Sequence, residues 1–152
     1  MAMSEHSGAY LILTAQFNAL VTERLAAGAR DALVRAGISE KKIEDAQVAG
    51  AWEMPPVALA AARTGRYAAI IACGAVIRGE TPHFDHVART AVDGLARVQL
   101  DTLVPVGLAL LTTDTLEQAL NRAGGKAGNK GGEAALAALE SVEALRPYQG
   151  RN

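Results

Sequence analysis

Four short apolar runs alternate with helical segments along this chain, and this alternation restricts the possible folds more than any other feature. The runs cover residues 9–15, 43–48, 67–73 and 105–111, and each has the length of a β-strand. Buried strands that alternate with helices are typical of a parallel sheet covered by helices on both faces. The chain is therefore predicted to be an α/β protein, a three-layer α/β/α sandwich around a four-stranded parallel sheet.

The length and composition describe the interior of this sandwich. A chain of 152 residues is long enough for one domain with a substantial core. Hydrophobic residues make up 50% of the chain but aromatic residues only 4%, so the core is expected to consist of Ala, Val, Leu and Ile. We expect a flexible N-terminal segment over residues 1–8, the domain over 9–146 and a C-terminal tail over 147–152.

The charges and the single cysteine exclude several classes of protein. Lys and Arg total 15 against 16 for Asp and Glu, which argues against a general affinity for nucleic acid or for anionic membranes. Cys73 has no cysteine to pair with, which suits a reducing compartment. No apolar stretch approaches the ~18 residues of a membrane span, and the N-terminus lacks the pattern of a signal peptide. These features predict a cytoplasmic protein.

Helices are predicted between and after the strands. The first helix is expected to end at Gly37 and the second to cover 57–63. The third is expected to begin at Pro82, the fourth to cover 115–122 and the fifth to cover 133–145. Asp114 and Glu117 have the spacing of a capping box for the fourth helix. On the third helix, charges of alternating sign recur every four residues, which predicts a solvated or interface face: Asp85, Arg89, Asp93, Arg97 and Asp101.

Unusual residues cluster where the strands end. In open parallel sheets, ligands bind beyond the carboxyl ends of the strands. The clusters at these ends are Phe17-Asn18, Ala51-Trp52-Glu53, the turn 79–83 and Thr112-Thr113-Asp114. The sequence therefore predicts a ligand site at this edge of the sheet.

The turn 79–83 has the composition of an anion site. Gly79 allows the backbone to turn, Thr81 can cap the following helix, and Pro82 suits its first position. The free N–H groups of such a helix start favour an anion such as phosphate. A well-built helix entry with His83 on the surface explains the same residues, and both interpretations are open at this point.

Other motifs are less specific. His83, Asp85 and His86 suggest a metal site, but no third His or second Cys lies nearby. The glycine- and lysine-rich segment 124–132 lacks the register of a nucleotide-binding P-loop, so we predict a flexible connector; the alternative is that Lys126 or Lys130 contacts an anion.

Three further residues have two interpretations each. Arg122 either neutralises the end of a short helix or clamps a phosphate. Phe17 and Trp52 follow strands in a chain with few aromatic residues, which suggests binding of a flat heterocycle, although isolated exposed aromatics are also common.

Taken together, these segments resemble the lumazine synthase family. The matching pieces are Phe17-Asn18, GAWEMP at 50–55, GAVIRGETPHFDHV at 74–87, LTTDTLEQALNRAG at 111–124 and KAGNKGGEAA at 126–135. They occur in the family's order over nearly the whole chain. The resemblance implies a flavodoxin-like fold and a transferase that condenses 5-amino-6-(D-ribitylamino)uracil with 3,4-dihydroxy-2-butanone 4-phosphate. The products would be 6,7-dimethyl-8-ribityllumazine, phosphate and water, and no cofactor or metal is implied.

The resemblance also implies roles for individual residues. His83 would donate and accept protons, Phe17 would stack on the pyrimidine, and Glu80, Thr81 and Arg122 would bind phosphate. The remaining substrate-binding positions are Ala51, Trp52 and Glu53 for the ribityl chain and ring, Ala75, Val76 and Ile77 for the ring edge, and Leu108 and Lys130. Leu108 stands where the family often has Phe, contributed to the neighbouring subunit's site, so weaker stacking is expected.

The implied assembly is a homopentamer with its sites between adjacent subunits. Some family members build sixty-subunit shells, and riboflavin synthase is an implied protein partner. Two other functions fit the sequence: a lumazine- or flavin-binding or shell-forming protein of the same fold with little turnover, and, less well, a flavodoxin-like electron carrier.

Overall fold

The structure is a computed structural model that describes residues 8–79, 83–126 and 128–149. The strands are β1 (Ala9–Ala15), β2 (Ile43–Val48), β3 (Tyr67–Ile77), β4 (Val106–Thr113), β5 (Ala123–Gly125) and β6 (Gly128–Asn129). The helices are α1 (Ala19–Arg35), α2 (Met54–Arg63), α3 (Phe84–Thr102), α4 (Leu116–Arg122) and α5 (Lys130–Leu145). Short 3-10 turns cover Glu40–Lys42, Ala51–Glu53 and Arg146–Tyr148.

Four strands form one parallel sheet in the order β2-β1-β3-β4. Their carboxyl ends therefore meet at one edge, which is the arrangement predicted from the alternating pattern. The pairing between β1 and β3 ends at Thr14 and Cys73, whereas the pairing between β3 and β4 continues to Ile77 and Thr113. The end of β3 consequently extends past β1 and has one side without a neighbouring strand.

Helices cover both faces of this sheet, which confirms the three-layer α/β/α architecture. On one face α1 and α5 pack on β1, β3 and β4 through side chains such as Leu25, Ala135 and Ile71. On the other face α2 and α3 pack through residues such as Met54 and Leu95. As the composition predicted, alanine and aliphatic side chains make up most of the buried residues.

Several elements begin or end differently from the prediction; for example, β4 ends at Thr113 instead of residue 111. Strand β3 continues four residues past Cys73 to Ile77, because its partner β4 continues alongside it. Helix α2 begins at Met54 instead of residue 57, because Pro55 and Pro56 occupy first-turn positions that need no hydrogen-bonded N–H.

The predicted capping box of α4 was placed one residue too early. The box consists of Thr115, whose hydroxyl accepts from the Gln118 backbone N–H at 3.1 Å, and Gln118, whose side chain reaches back to the Thr115 N–H at 3.3 Å. Asp114 instead forms an ion pair with Arg78. The sequence offers a suitable pair of side chains in both positions, Asp114 with Glu117 and Thr115 with Gln118. The sequence alone does not show that Asp114 is engaged with Arg78 in the folded protein.

The segment 124–132, predicted as a connector, contains ordered elements. Strands β5 and β6 form a short antiparallel pair in which Ala123 faces Asn129. Helix α5 then begins at Lys130, three residues before the predicted start, with Asn129 as its N-cap.

Within the ranges that the structure describes, no helix is long and apolar enough to cross a membrane.

Candidate functional site

A cleft of about 400 Å³ opens at the carboxyl ends of β1, β2 and β3, and we call it the strand-end cleft. It is lined by Phe17, Asn18, Gly50, Ala51, Trp52, Glu53, Ala75, Val76, Ile77 and Val87. The sequence clusters at these strand ends therefore meet in space. The predicted residues from 17, 51–53 and 75–77 all belong to this cleft.

Asn18 joins the end of β1 to the end of β3. Its backbone is left-handed, with φ of 62°, and its side-chain amide donates to the Ala75 carbonyl oxygen at 3.0 Å. Asn tolerates this conformation better than most residues with a side chain. The preceding residue, Phe17, donates its backbone N–H to the Ala49 carbonyl at 2.9 Å. The aromatic ring therefore projects from a backbone that is fixed on both sides.

The residues 50–53 form a closed turn beneath that ring. The Gly50 N–H donates to Glu53 Oε1 at 2.9 Å, and the Glu53 N–H donates to the Gly50 carbonyl at 3.2 Å. A Cβ at Gly50 would lie 3.0 Å from Phe17 Cδ2, so the ring lies directly over the glycine. Phe17 is 71% exposed and Trp52 is 56% exposed. Two exposed aromatic rings at one cleft suit a flat ligand.

His83 lies at the start of α3, next to the strand-end cleft. Its carbonyl accepts the Val87 N–H at 2.9 Å, so the residue is one helical turn before a cleft-lining side chain. The side chain is exposed, and its ring centroid is 6.5 Å from that of His86. The predicted phosphate-binding residues Glu80 and Thr81 lie outside the described residues, as does Pro82.

Arg78 fixes the chain where it leaves β3. Its backbone N–H donates to the Thr113 carbonyl at 2.8 Å, and its side chain pairs with Asp114 at 2.9 Å and Asp85 at 3.8 Å. Its guanidinium also lies 4.5 Å from the centre of the Phe84 ring. Exposed pairs of this kind contribute little to stability, but together they connect the ends of β3 and β4 to the start of α3.

A second cleft, of about 660 Å³, lies along β4, and we call it the edge cleft. Its lining includes the three remaining predicted residues, Leu108, Arg122 and Lys130. Leu108 is 47% exposed on the edge strand of the sheet. Arg122 donates to the Gln118 carbonyl at 3.2 Å, which is the helix-end contact expected of it, and Lys130 pairs with Glu133 at 3.1 Å.

The two clefts have no lining residue in common. The structure therefore brings the predicted residues together as two groups, not as one. No individual role in the site was predicted for Asn18, Gly50 or Val87, although Asn18 was part of a predicted strand-end cluster. The Phe17-Asn18 pair was a signal for the first of these, and the position of Val87 one turn after His83 was a signal for the last.

The metal interpretation of His83, Asp85 and His86 gains no support from the geometry. Among the residues that the structure describes, no group of three or more His, Cys, Asp or Glu side chains is arranged to hold a metal ion.

An open parallel sheet with clefts at its strand ends and edge is the arrangement in which α/β proteins bind small molecules. The model of the 6,7-dimethyl-8-ribityllumazine synthase family matches residues 8–146. A 6,7-dimethyl-8-ribityllumazine synthase from Nitratidesulfovibrio vulgaris (strain DSM 19637 / Miyazaki F) is 53% identical over 136 residues, which are 90% of this chain and 87% of that protein.

The chain belongs to the 6,7-dimethyl-8-ribityllumazine synthase family. It is a transferase of riboflavin biosynthesis, and its reaction is the condensation that forms the lumazine. Family membership confirms the resemblance seen in the sequence and implies small-molecule substrates and an oligomer.

Proposed function

We propose that condensation of 5-amino-6-(D-ribitylamino)uracil with 3,4-dihydroxy-2-butanone 4-phosphate takes place between adjacent copies of the chain. The strand-end cleft of one copy would face the edge cleft of the next. The observation that carries this proposal is the separation of the site residues into two clefts without a shared lining residue. A contact that repeats head to tail completes every site when it closes into a ring.

The strand-end cleft has the features needed to bind the aminouracil. Phe17 and Trp52 offer exposed rings for stacking. The extension of β3 past β1 leaves backbone groups facing the cleft, and Asn18 bonds one of them, the Ala75 carbonyl. Because strand residues alternate in direction, the backbone groups of Ile77 point the same way. They can therefore bond the edge of the ring, with Ala51 to Glu53 beside the ribityl chain.

The edge cleft has the charges needed for the phosphorylated substrate. Arg122 and Lys130 line it together, and a guanidinium matches the planar geometry of phosphate oxygens. In the proposal, Glu80 and Thr81 of the neighbouring copy complete the phosphate site. Leu108 packs against the ring from the edge cleft with an aliphatic side chain where the family often has an aromatic one.

His83 is proposed as the proton donor and acceptor. The aromatic amine must attack the ketone, water and phosphate must leave, and the ring must close, so several proton transfers occur near one position. Orientation of two reactants can lower a barrier by ~7–11 kcal/mol, whereas a general acid or base contributes roughly 10²- to 10⁴-fold in rate. We therefore assign most of the catalysis to positioning in the assembled site and a smaller part to His83.

The proposal extends to the assembly and location of the enzyme. We propose a homopentamer as the smallest complete unit, with a sixty-subunit shell and an association with riboflavin synthase as larger states. Mass photometry of the purified protein, alone and with riboflavin synthase, distinguishes these states. A cytoplasmic location is part of the proposal and is consistent with the single, buried Cys73.

Steady-state kinetics on two variants test the site assignment. Arg122→Ala should raise the KM for the phosphorylated substrate on the order of 10- to 100-fold, because a charge-assisted hydrogen bond contributes about 1.5–3 kcal/mol. His83→Ala should mainly lower kcat, by no more than about 10²-fold.

Arg63→Ala is the matched control, because Arg63 also ends a helix but lines neither cleft. An unchanged KM in the Arg122 variant would contradict the phosphate assignment. Lumazine absorbance in a mixture of both substrates separates an enzyme from a carrier of the same fold, because a carrier would not exceed the uncatalysed rate.

A further inference from the structure

Asn129 lies in the hairpin that joins the two cationic residues of the edge cleft along the chain. Arg122 is the last residue of α4 and is followed by β5, whereas Lys130 is the first residue of α5 and is preceded by β6. In the β5–β6 pair, Ala123 is the register partner of Asn129. The hairpin therefore places the residue after one cation opposite the residue before the other. Any shift of this hairpin changes the spacing of the two charges.

The Asn129 side chain connects this hairpin to a distant part of the chain. Its Oδ1 accepts from the Gly131 and Gly132 N–H groups at 2.8 and 3.2 Å, which caps α5. Its Nδ2 donates to the Arg24 carbonyl oxygen of α1 at 3.0 Å. An amide carries both an acceptor and donors, so one side chain bonds both helices.

The surrounding backbone is packed closely enough to make this connection rigid. A Cβ at Gly28 of α1 would overlap the Asn129 side chain, and a Cβ at Gly131 would overlap the Leu25 carbonyl. Helix α1 is itself anchored on the sheet by fully buried side chains such as Leu25 and Leu33. Asn129 thus ties a surface hairpin to a part of the core that does not move easily.

We propose that Asn129 is a positioning residue for the phosphorylated substrate. By bonding α1 and the first turn of α5 at once, it holds Lys130 and Arg122 at a spacing at which both contact one phosphate. Binding costs conformational entropy when side chains and backbone segments become ordered. A backbone that is already fixed before binding does not add to this cost. The inference rests on the proposed function for the phosphate assignment.

The first test compares Asn129→Ser with Asn129→Ala. Serine retains an oxygen that caps α5 but is too short to bond Arg24, and alanine loses both contacts. Both variants should raise the KM for the phosphorylated substrate on the order of 10-fold, with the KM for the aminouracil and kcat within about twofold of the wild type. A Ser variant equal to the wild type would overturn the proposal, because capping alone would then be sufficient.

Ser39→Ala is the matched control. The Ser39 hydroxyl accepts from the Lys41 N–H at 3.2 Å at the start of a turn that lines neither cleft. This variant loses a cap of the same kind, and both KM values should stay at the wild-type level. A raised KM for the phosphorylated substrate in Ser39→Ala would attribute the effect to general loss of stability and overturn the proposal.

A double-mutant cycle shows whether Asn129 acts through the two cations. In the Arg122→Ala/Lys130→Ala background, Asn129→Ser should change the KM by less than about twofold, because nothing remains to be positioned. The same rise in both backgrounds would overturn the inference. A wild-type KM in Asn129→Ser with a raised KM in Arg122→Ala would overturn only the positioning role, and unchanged values in both would overturn the phosphate assignment as well.

Discussion

Cys73 shows how a single residue's environment determines its chemistry. It lies in β3 between Thr14 of β1 and Ala109 of β4, and none of its surface is exposed. Burial raises the pKa of the thiol to about 12 from an ordinary value of 9.0, because the charged thiolate is poorly solvated there. The thiolate is the reactive form of cysteine, so the folded protein keeps this residue inert.

The buried thiol predicts a pH dependence of stability. Because the folded pKa is raised, the folded state binds the proton more tightly than the unfolded state. The contribution is complete below pH 9.0 and is lost as the pH rises towards about 12. Urea unfolding at pH 8 to 11 should show a steeper loss of stability for the wild type than for Cys73→Ala, whose tyrosines still titrate. Equal slopes would contradict the assignment, as would rapid thiol labelling of the native protein at pH 8.

At the scale of elements, the junction of α1 and α5 depends on glycine. Near Gly131 the backbones of the two helices approach so closely that a Cβ would overlap the Leu25 carbonyl oxygen. At the neighbouring Gly132 a Cβ would lie 3.3 Å from the Gly28 carbonyl oxygen, so the helices would have to separate there by only a few tenths of an ångström. The sequence presents these two glycines as an equivalent pair, and the structure separates them.

Two alanine variants test this difference. Gly131→Ala should destabilise the protein by about 1–3 kcal/mol through overpacking. Gly132→Ala should change stability by less than about 0.5 kcal/mol, because the tighter contact is offset by the helix propensity of alanine, up to ~1 kcal/mol above that of glycine. Denaturant midpoints measured at one protomer concentration give the comparison. Equal midpoints would show that the junction adjusts to a methyl group.

The elements that the sequence predicted well are those whose signal is local. The apolar runs at β1 and β2 gave their bounds directly, and the parallel sheet followed from their alternation with helices. The end of β3 was missed because its last four residues are strand only where β4 accompanies them. The start of α5 was missed because Lys130-Gly-Gly has weak helix propensity, and Asn129 compensates as a cap.

Most residues that line the strand-end cleft could be predicted from the sequence, whereas most of the edge cleft and the shape of both clefts could not. Phe17 and Trp52 are conspicuous aromatic residues after strands, whereas Asn18 acts through a left-handed backbone conformation and a bond to β3 that depend on tertiary structure. The spacing of residues along the chain also does not predict that Leu108 and Arg122 lie in a different cleft from Phe17. That separation depends on which side of the sheet each loop covers.

At the scale of the whole molecule, the separation of the two clefts means that one copy holds only half of the proposed site. The strand-end cleft lies beside α3, and the edge cleft lies between β4 and α5. In the proposed site, the aminouracil is stacked by one copy while the phosphate is bound mainly by the next. Dissociation of the oligomer would then abolish activity without unfolding the chain, since each half would lack its complement.

A site shared between copies predicts that two defective variants restore each other's activity. In the proposed site, His83→Ala removes the acid/base beside the strand-end cleft and Arg122→Ala removes a phosphate contact in the edge cleft, so each homo-oligomer would have only defective sites. Refolded together in equal amounts, they should form rings in which about a quarter of the sites combine an intact His83 with an intact Arg122.

The assay uses phosphorylated substrate well below the KM of the Arg122 variant, and the two variants refolded separately and then mixed give the baseline. The co-refolded single variants should reach about a quarter of wild-type activity. The double variant His83→Ala/Arg122→Ala co-refolded with wild type should reach the same level, because only sites between two wild-type copies are then intact. If both residues served one site within a single copy, co-refolding would never create an intact site, and activity at the baseline would exclude the shared arrangement.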